Sequence, residues 1–384
     1  MRIVHVIQNL DPAWGGVPMV ASRVAAAQAG LGHDVLIACH HAPDGINAEA
    51  KLLDGLPHRD RFLISHIPRS HGLARYIPTD LIKDLDPILY TADALHLHGL
   101  WDPILLAASK IARRDNVPYA MTPHGMLHPW SLSQKRLKKQ IALLLGYREM
   151  LHNAAFLQAM NTEEQAAFTP LSLKAPTRII PNGIFTEEFA ELPQPGTFRA
   201  NHPELADHPY ILFLSRLHYK KGLDILGEAF SILAQQHPTA RLVVAGPEAD
   251  AAEPFRKTIA KHQLTDRVLM TGPLYGIDKL AAFIDAACFC LPSRQEGFSI
   301  AITEALALAK PVVITHECNF SDVAEINAGV VTSLNPQDVA AAMSQILADP
   351  AEAHELGQRG RDLVNNRYTW PRIAQLCIDA IDPR

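Results

Sequence analysis

Apolar runs of about four to eight residues alternate with longer stretches of helical period along the whole chain. In the first half, residues 2–8, 34–39, 61–67, 94–98, 118–122, 155–159 and 178–181 read as strands. In the second half the strand runs are 210–214, 242–245, 268–271, 287–291, 311–315 and 329–332. Many are apolar at nearly every position, the mark of parallel strands buried on both faces. Residues 19–29, 104–114, 132–152, 223–235, 300–308 and 336–347 carry helical spacing between them, and 370–381 follows as a last helix. Parallel strands need crossover helices, so the alternation predicts an α/β fold of doubly wound sheets.

The alternation lapses once. Residues 187–208 are rich in proline and polar groups, lack a period, and read as a linker. The expected division is therefore a first Rossmann-like domain over 1–186, a linker over 187–208 and a second such domain over 209–368, with the last helix in 369–384. Two doubly wound halves facing each other would place a central cleft at the carboxyl ends of both sheets.

Composition narrows the function classes. A chain of 384 residues exceeds one ordinary core. A net charge of −5 disfavours a dedicated nucleic-acid binder. The five cysteines are odd in number and form no CxxC, which fits a reducing cytoplasm. The start MRIVHVIQNL lacks the apolar region of a signal peptide, and no run reaches the length of a membrane span.

The sharpest motif is Glu296-Gly-Phe-Ser-Ile-Ala-Ile-Thr-Glu304. It sets one carboxylate in a loop and a second inside the following helix. The unpaired first-turn amides between them suit an anion or a polyol. Arg216 ends the first strand of the second half and Lys221 opens the next helix, both on the same sheet edge as Glu296. A guanidinium fork and an ammonium at that edge can neutralise a diphosphate. Gly15 and Gly16 follow the first strand, where they serve either a tight turn or the close approach of a ligand. No GxGxxG follows that strand, which disfavours a nicotinamide cofactor. His124, in Thr122-Pro123-His124-Gly125, ends a strand of the first half and can hydrogen-bond a sugar hydroxyl or assist proton transfer. His96 and His98 alternate on one strand; as a metal pair they lack a third ligand. Asp84-Leu85-Asp86 matches a DxD motif on a surface-like helical segment and reads as chance. The segment 131–152 carries Lys135, Arg136, Lys138, Lys139 and Arg148 beside Leu137, Ile141, Leu144, Leu145 and Leu151. It reads either as a core-packed helix with a solvated basic face, the preferred reading, or as a basic amphipathic helix that meets anionic lipid.

Together these residues resemble glycosyltransferase family 4, of GT-B architecture, over nearly the whole chain. The resemblance rests on the EX7E motif between LPSRQ and ALALAKPVV, SRL…KKG at 215–222, IPNGI at 180–184 and AGP at 245–247. HGLW at 98–101 and TPHGM at 122–126 resemble a bacterial polysaccharide-synthesis branch. It implies transfer of a sugar from a UDP- or GDP-linked donor to a saccharide or lipid-linked saccharide, with retention of configuration and no metal or other cofactor. The resemblance further implies that Arg216 and Lys221 bind the donor diphosphate, Glu296 the sugar hydroxyls and Glu304 the ribose. Gly15, Gly16, Gly246, Gly272, Leu274, Gly297, Phe298, Ser299 and Ile300 complete the donor set. His124 joins Arg216, Lys221 and Glu296 as catalytic, and His98, Trp101 and Trp130 are expected on the acceptor side. A cytoplasmic protein that meets the inner membrane peripherally follows. The competing readings are a nucleotide-sugar epimerase and an inactive nucleotide-sugar-binding protein. Two positions depart from the pattern. Ala309 replaces a helix-ending glycine, so the helix is expected to end without a left-handed residue. Ser299 replaces a frequent glycine.

Overall fold

A computed structural model describes residues 1–42, 46–69 and 79–381. The chain divides into two compact units: Met1–Phe185 with Trp370–Arg384, and Thr186–Thr369. The first holds seven strands, β1 (Arg2–Asn9), β2 (Asp34–His40), β3 (Phe62–Ile67), β4 (Ala94–His98), β5 (Tyr119–Thr122), β6 (Phe156–Ala159) and β7 (Thr177–Ile179). They pair in parallel in the order β3-β2-β1-β4-β5-β6-β7. The second holds β8 (Tyr210–Leu214), β9 (Arg241–Ala245), β10 (Val268–Gly272), β11 (Cys288–Leu291), β12 (Val312–Thr315) and β13 (Gly329–Thr332). Their order is β10-β9-β8-β11-β12-β13, again parallel. All thirteen strands read from the sequence are present, with ends moved by at most two residues.

Both orders reverse next to their first strand, between β1 and β4 and between β8 and β11. In open α/β sheets that reversal opens a crevice beyond the strand carboxyl ends, where ligands bind. The first sheet is covered on both faces, which explains its continuous apolar runs. Val4, Val6, Leu95 and Leu97 face one core with helices Thr79–Leu89 and Pro103–Arg114. Ile7 and Ile37 face the other with helices Gly16–Gly30 and Trp370–Ile381. The small residues of Gly16–Gly30, chiefly Ala21 and Ala25–Ala27, bring that helix close to the sheet.

Some expectations need correction. Residues 132–152 are not one helix. Helices Pro129–Ser133, Arg136–Ala142 and Arg148–His152 are separated by left-handed Lys135 (φ 51°) and by Gly146 (φ 115°). Nor is their apolar stripe core: Leu137, Ile141, Leu144 and Leu145 are exposed, Leu144 to 84%, and only Leu151 is buried. Proline-rich 187–208 contains helix Thr197–Asn201, held to the second unit where Asp285 accepts from the amides of Gly196 and Arg199 at 2.6 and 3.1 Å. Ala309 takes the left-handed conformation after all (φ 53°), and the Lys310 amide returns to Ala305 at 2.9 Å. One expectation needs no change: Asp84-Leu85-Asp86, read as a chance match, lies in helix Thr79–Leu89, where Asp86 pairs with Arg114.

Candidate active site

The second unit brings several charged residues together at the β8/β11 reversal. The loop after β8 carries Arg216, Lys220 and Lys221; the loop after β11 carries Ser293, Arg294, Gln295 and Glu296. Gly222 makes their close approach workable. A Cβ there would lie 1.9 Å from the Pro292 carbonyl oxygen, and its φ of 70° is left-handed. Polar bonds then stitch the loops together. The Arg294 amide donates to Lys220 O at 2.7 Å, Lys220 Nζ to Gln295 at 3.0 Å, and the Arg294 guanidinium to both Asp224 oxygens at 2.8 and 2.6 Å.

Within this seam Lys221 Nζ donates to both oxygens of Glu296, at 2.7 and 2.8 Å. Ser293 Oγ adds a bond of 2.5 Å to Glu296 Oε1. Glu296 is buried, 7% exposed, so its charge needs these donors. Asn319 Nδ2 holds its carbonyl at 3.1 Å. Eight residues on, Glu304 receives Lys279 Nζ at 2.7 Å. Arg216 differs: it is exposed, and among the described residues no carboxylate pairs with it.

Gly297, Phe298, Ser299 and Ile300 lead into helix Ile300–Ala307. Ser299 stands at the N-cap, extended (φ −93°, ψ 109°), and its side chain does not cap the helix. The first-turn amides are therefore left for another acceptor. Nothing lies within 4 Å of where a Gly297 Cβ would point, so the space beside it is open. Phe298 packs at a tilt against Phe320 and Tyr368, which pins the loop. Gly246 has a different reason for being glycine: a Cβ would lie 1.9 Å from Ser215 O, so it closes the strand-end packing. Gly272 ends β10 with φ 73°, and Leu274 follows on a partly exposed loop.

In the first unit, Gly15 (φ 85°) and Gly16 open helix Gly16–Gly30 with nothing within 4 Å of either Cβ position. His124 follows β5 in the left-handed region (φ 51°), a strained placement of the kind found at functional sites. Glu164 fixes the next residue, accepting from the Gly125 amide at 2.6 Å. Burial pushes the Glu164 carboxyl above its usual value, although the amides of Met160 and Gly125 favour its charge. His98 does not face outward as an acceptor-side residue would. It is 2% exposed, with its ring nitrogens 2.9 Å from His5 and 3.3 Å from His124. Trp101 is partly buried beneath Lys139, 5.5 Å from its ring centroid, whereas Trp130 is 59% exposed. Sequence reasoning did not single out Lys279, Ser293, Arg294, Asp224 or Glu164. Ser293 and Arg294 lie in LPSRQ, but for all five only folding brings each to its partner.

Comparisons with known proteins agree with this architecture. Residues 196–363 match the model described as glycosyl transferases group 1, and residues 15–183 match the glycosyl transferase 4-like domain. The chain is 25% identical over 390 residues to the GDP-mannose:cellobiosyl-diphosphopolyprenol alpha-mannosyltransferase of Xanthomonas campestris, covering 99% of this chain and 96% of that one. It is 26% identical over 372 residues to the phosphatidylinositol N-acetylglucosaminyltransferase gpi3 subunit of Schizosaccharomyces pombe, covering 95% and 76%. The crystal structure of Anabaena HepE in complex with UDP and glucose superposes with a TM-score of 0.77, at 19% identity, over 100% of both chains. WaaG, a glycosyltransferase involved in lipopolysaccharide biosynthesis, superposes at 0.68 with 15% identity over 100% of both chains.

Two Rossmann-like units of this topology show the GT-B fold, and the two family models make the chain a glycosyltransferase. More narrowly, the chain belongs to glycosyltransferase family 4.

Proposed function

We propose that the chain moves a sugar from a UDP- or GDP-linked donor to a hydroxyl acceptor, retaining the anomeric configuration and using fixed cations in place of a metal. The carrying observation is the bidentate Lys221–Glu296 pair at the β8/β11 reversal, with Arg216 exposed at the end of β8. In this reading Arg216 and Lys221 take up the charge that develops on the diphosphate as the glycosidic bond loosens. Glu296, released from Lys221 by the incoming phosphates, accepts from donor sugar hydroxyls, and Glu304 from the ribose. The uncapped amides at Ser299–Ile300 and the open face of Gly297 receive the sugar-phosphate. His124 hydrogen-bonds a sugar hydroxyl.

The acceptor is a lipid-linked saccharide. Two observations support this: relatives named for diphosphopolyprenol and phosphatidylinositol substrates, and the exposed Leu137, Ile141, Leu144 and Leu145 beside exposed Lys135, Arg136 and Lys138. Exposed apolar side chains flanked by cations suit a peripheral contact with an anionic bilayer surface. Among the described residues no helix is long and apolar enough to cross a membrane.

A panel of UDP- and GDP-sugars tests the donor by thermal shift, since a ligand at a hundred times its Kd adds about 2.7 kcal/mol to stability. The preferred donor is then incubated with a polyprenyl-diphosphate-linked saccharide, and the anomeric configuration of the product is read by NMR. An inverted product removes retention. Isotope scrambling within the donor alone replaces transfer with epimerisation, and tight binding without turnover leaves a carrier. Activity lost on chelation and restored by a divalent ion would remove the metal-free claim.

A further inference from the structure

Four histidines of the first unit lie together: His5, His98 and His124 form one connected row, and His96 stacks beside His98. His5 on β1 pairs in register with His96 on β4; His98, two residues further, shares that face. His5, His96 and His98 are all at most 2% exposed. Gln28 of helix Gly16–Gly30 lies over them, its Oε1 2.7 Å from His5 Nε2. His5 Nδ1 is 2.9 Å from His98 Nε2, and His98 Nδ1 is 3.3 Å from His124 Nε2.

Three histidines so close invite a metal reading, because one ligand atom of each lies within 4.8 Å of the others. The ring geometry opposes it. The His5 and His98 rings are inclined by only 15° with centroids 5.2 Å apart, so the facing nitrogens meet nearly head-on in one plane. An ion bound at about 2.0–2.1 Å needs both lone pairs to converge on a third point instead. A shared proton fits the 2.9 Å gap.

We propose that Gln28, His5 and His98 are positioning residues that fix the tautomer of His124 through this row and present its Nδ1 as a lone pair for a donor hydroxyl. The polarity follows from the acceptor at the buried end. A carbonyl oxygen only accepts, so His5 carries its proton on Nε2 and accepts at Nδ1. His98 then donates from Nε2 and accepts at Nδ1, and His124 donates from Nε2. His124 Nδ1 is the end of the row, at a partly buried residue with left-handed backbone. His96 is set from the other side. Gln158 Nε2 donates to Ile180 O at 2.7 Å, so its Oε1 accepts from Thr122 at 2.8 Å, leaving Thr122 Oγ1 to accept from His96 Nε2 at 2.7 Å. Burial lowers all four rings, His5 and His124 to about 4, so they are neutral near pH 7 and each has one N–H and one lone pair. A lone pair at His124 favours a ligand that brings an O–H, a sugar, over a bare phosphate oxygen. This function for the row rests on the sugar-transfer reading; the tautomers do not.

The test is ¹⁵N NMR of the imidazole rings in the full chain at pH 7.5. The expected result is a protonated Nε2 and an unprotonated Nδ1 for His5, His96, His98 and His124 alike. An Nδ1–H form of His98 or His124 overturns the proposal, as does movement of the His5, His96 and His98 signals on adding Zn²⁺ alone. In Gln28→Met, whose side chain cannot accept in this way, His124 should become a mixture of tautomers. Turnover should then fall on the order of tenfold with KM for the donor nearly unchanged. Gln28→Met with wild-type tautomers overturns the relay. Correct tautomers in a wild-type protein that transfers no sugar sink the transfer reading and leave the relay intact.

Discussion

Replacing Lys221 by methionine keeps most of the length of the side chain and removes its charge. Glu296 would lose contacts of 2.7 and 2.8 Å and, among the described residues, keep the Ser293 hydroxyl as its side-chain donor. Breaking a fully buried pair costs about 3–5 kcal/mol because one charge stays behind. The Lys221 side chain is 20% exposed, so water would screen part of that, and about 2 kcal/mol is the better figure. For a unit of this size that means a fall of about 4–8 °C in the melting transition of the second unit. Adding Glu296→Gln removes the stranded carboxylate, so the double variant should recover most of the lost stability. Activity should not follow. A missing cation at a developing diphosphate costs about 2.7–4 kcal/mol, a loss of 10²–10³ in turnover that the second substitution cannot restore. Calorimetry and a donor-consumption assay on all four members of the cycle measure both quantities. Two results refute the reasoning. Equal melting temperatures throughout would mean that the pair carries no coupling energy. Turnover restored in the double variant would mean that Lys221 serves only to neutralise Glu296.

Four other outcomes are expected. Burial lowers His5 from 6.5 to about 4, so between those values the unfolded chain takes up a proton that the folded one refuses. Stability of the first unit should therefore fall as pH drops from 6.5 towards 4, by up to about 1.4 kcal/mol per pH unit for this ring, and level off below. Urea titrations at pH 7, 6 and 5 check it, and a midpoint independent of pH contradicts the burial of neutral rings. Gly246→Ala should destabilise the second unit by about 3 kcal/mol or more, since its Cβ meets Ser215 O at 1.9 Å. Gly297→Ala, with open space, should stay within about 0.5 kcal/mol of the wild type yet weaken donor binding in a titration. Ala309→Gly should raise the melting temperature of the second unit by a few degrees. A left-handed alanine costs about 1–2 kcal/mol, and glycine's freer unfolded chain returns about half of that.

The central strands were legible because they are buried on both faces and so print an uninterrupted apolar run, as Phe289 to Leu291 do on β11, whereas the edge strands β3, β7 and β10 are only partly buried. The EX7E loop was legible for a similar reason: its two carboxylates flank a helix start that Ser299 and the following apolar run announce. What escaped depends on pairing across the chain. Lys279 meets Glu304 from a separate helix, and Glu164 reaches back to Gly125; neither spacing leaves a local trace. His5 was hidden among 19 histidines, although it is the residue that completes the His96–His98 group. The segment 131–152 misled because helical spacing of Leu137, Ile141, Leu144 and Leu145 looks the same whether the stripe faces a core or the outside. Gly146 and left-handed Lys135 break the run, and neither residue type forbids a helix outright.

The first unit is not contiguous in sequence. Trp370, Ile373 and Cys377 fill its core, and the Trp370 amide closes on Ile184 O at 2.9 Å. During synthesis the chain therefore passes Phe185 with that core still lacking a wall. At about 5–20 residues per second, the missing helix emerges roughly ten to forty seconds later. Meanwhile Thr186–Thr369 can collapse independently, so the earlier-made half is the later one to finish. A nascent chain stalled before Trp370 should expose Ile7 and Ile37 to proteases and chaperones, and a tag or truncation at the carboxyl end would disturb the amino-terminal unit rather than its neighbour in sequence.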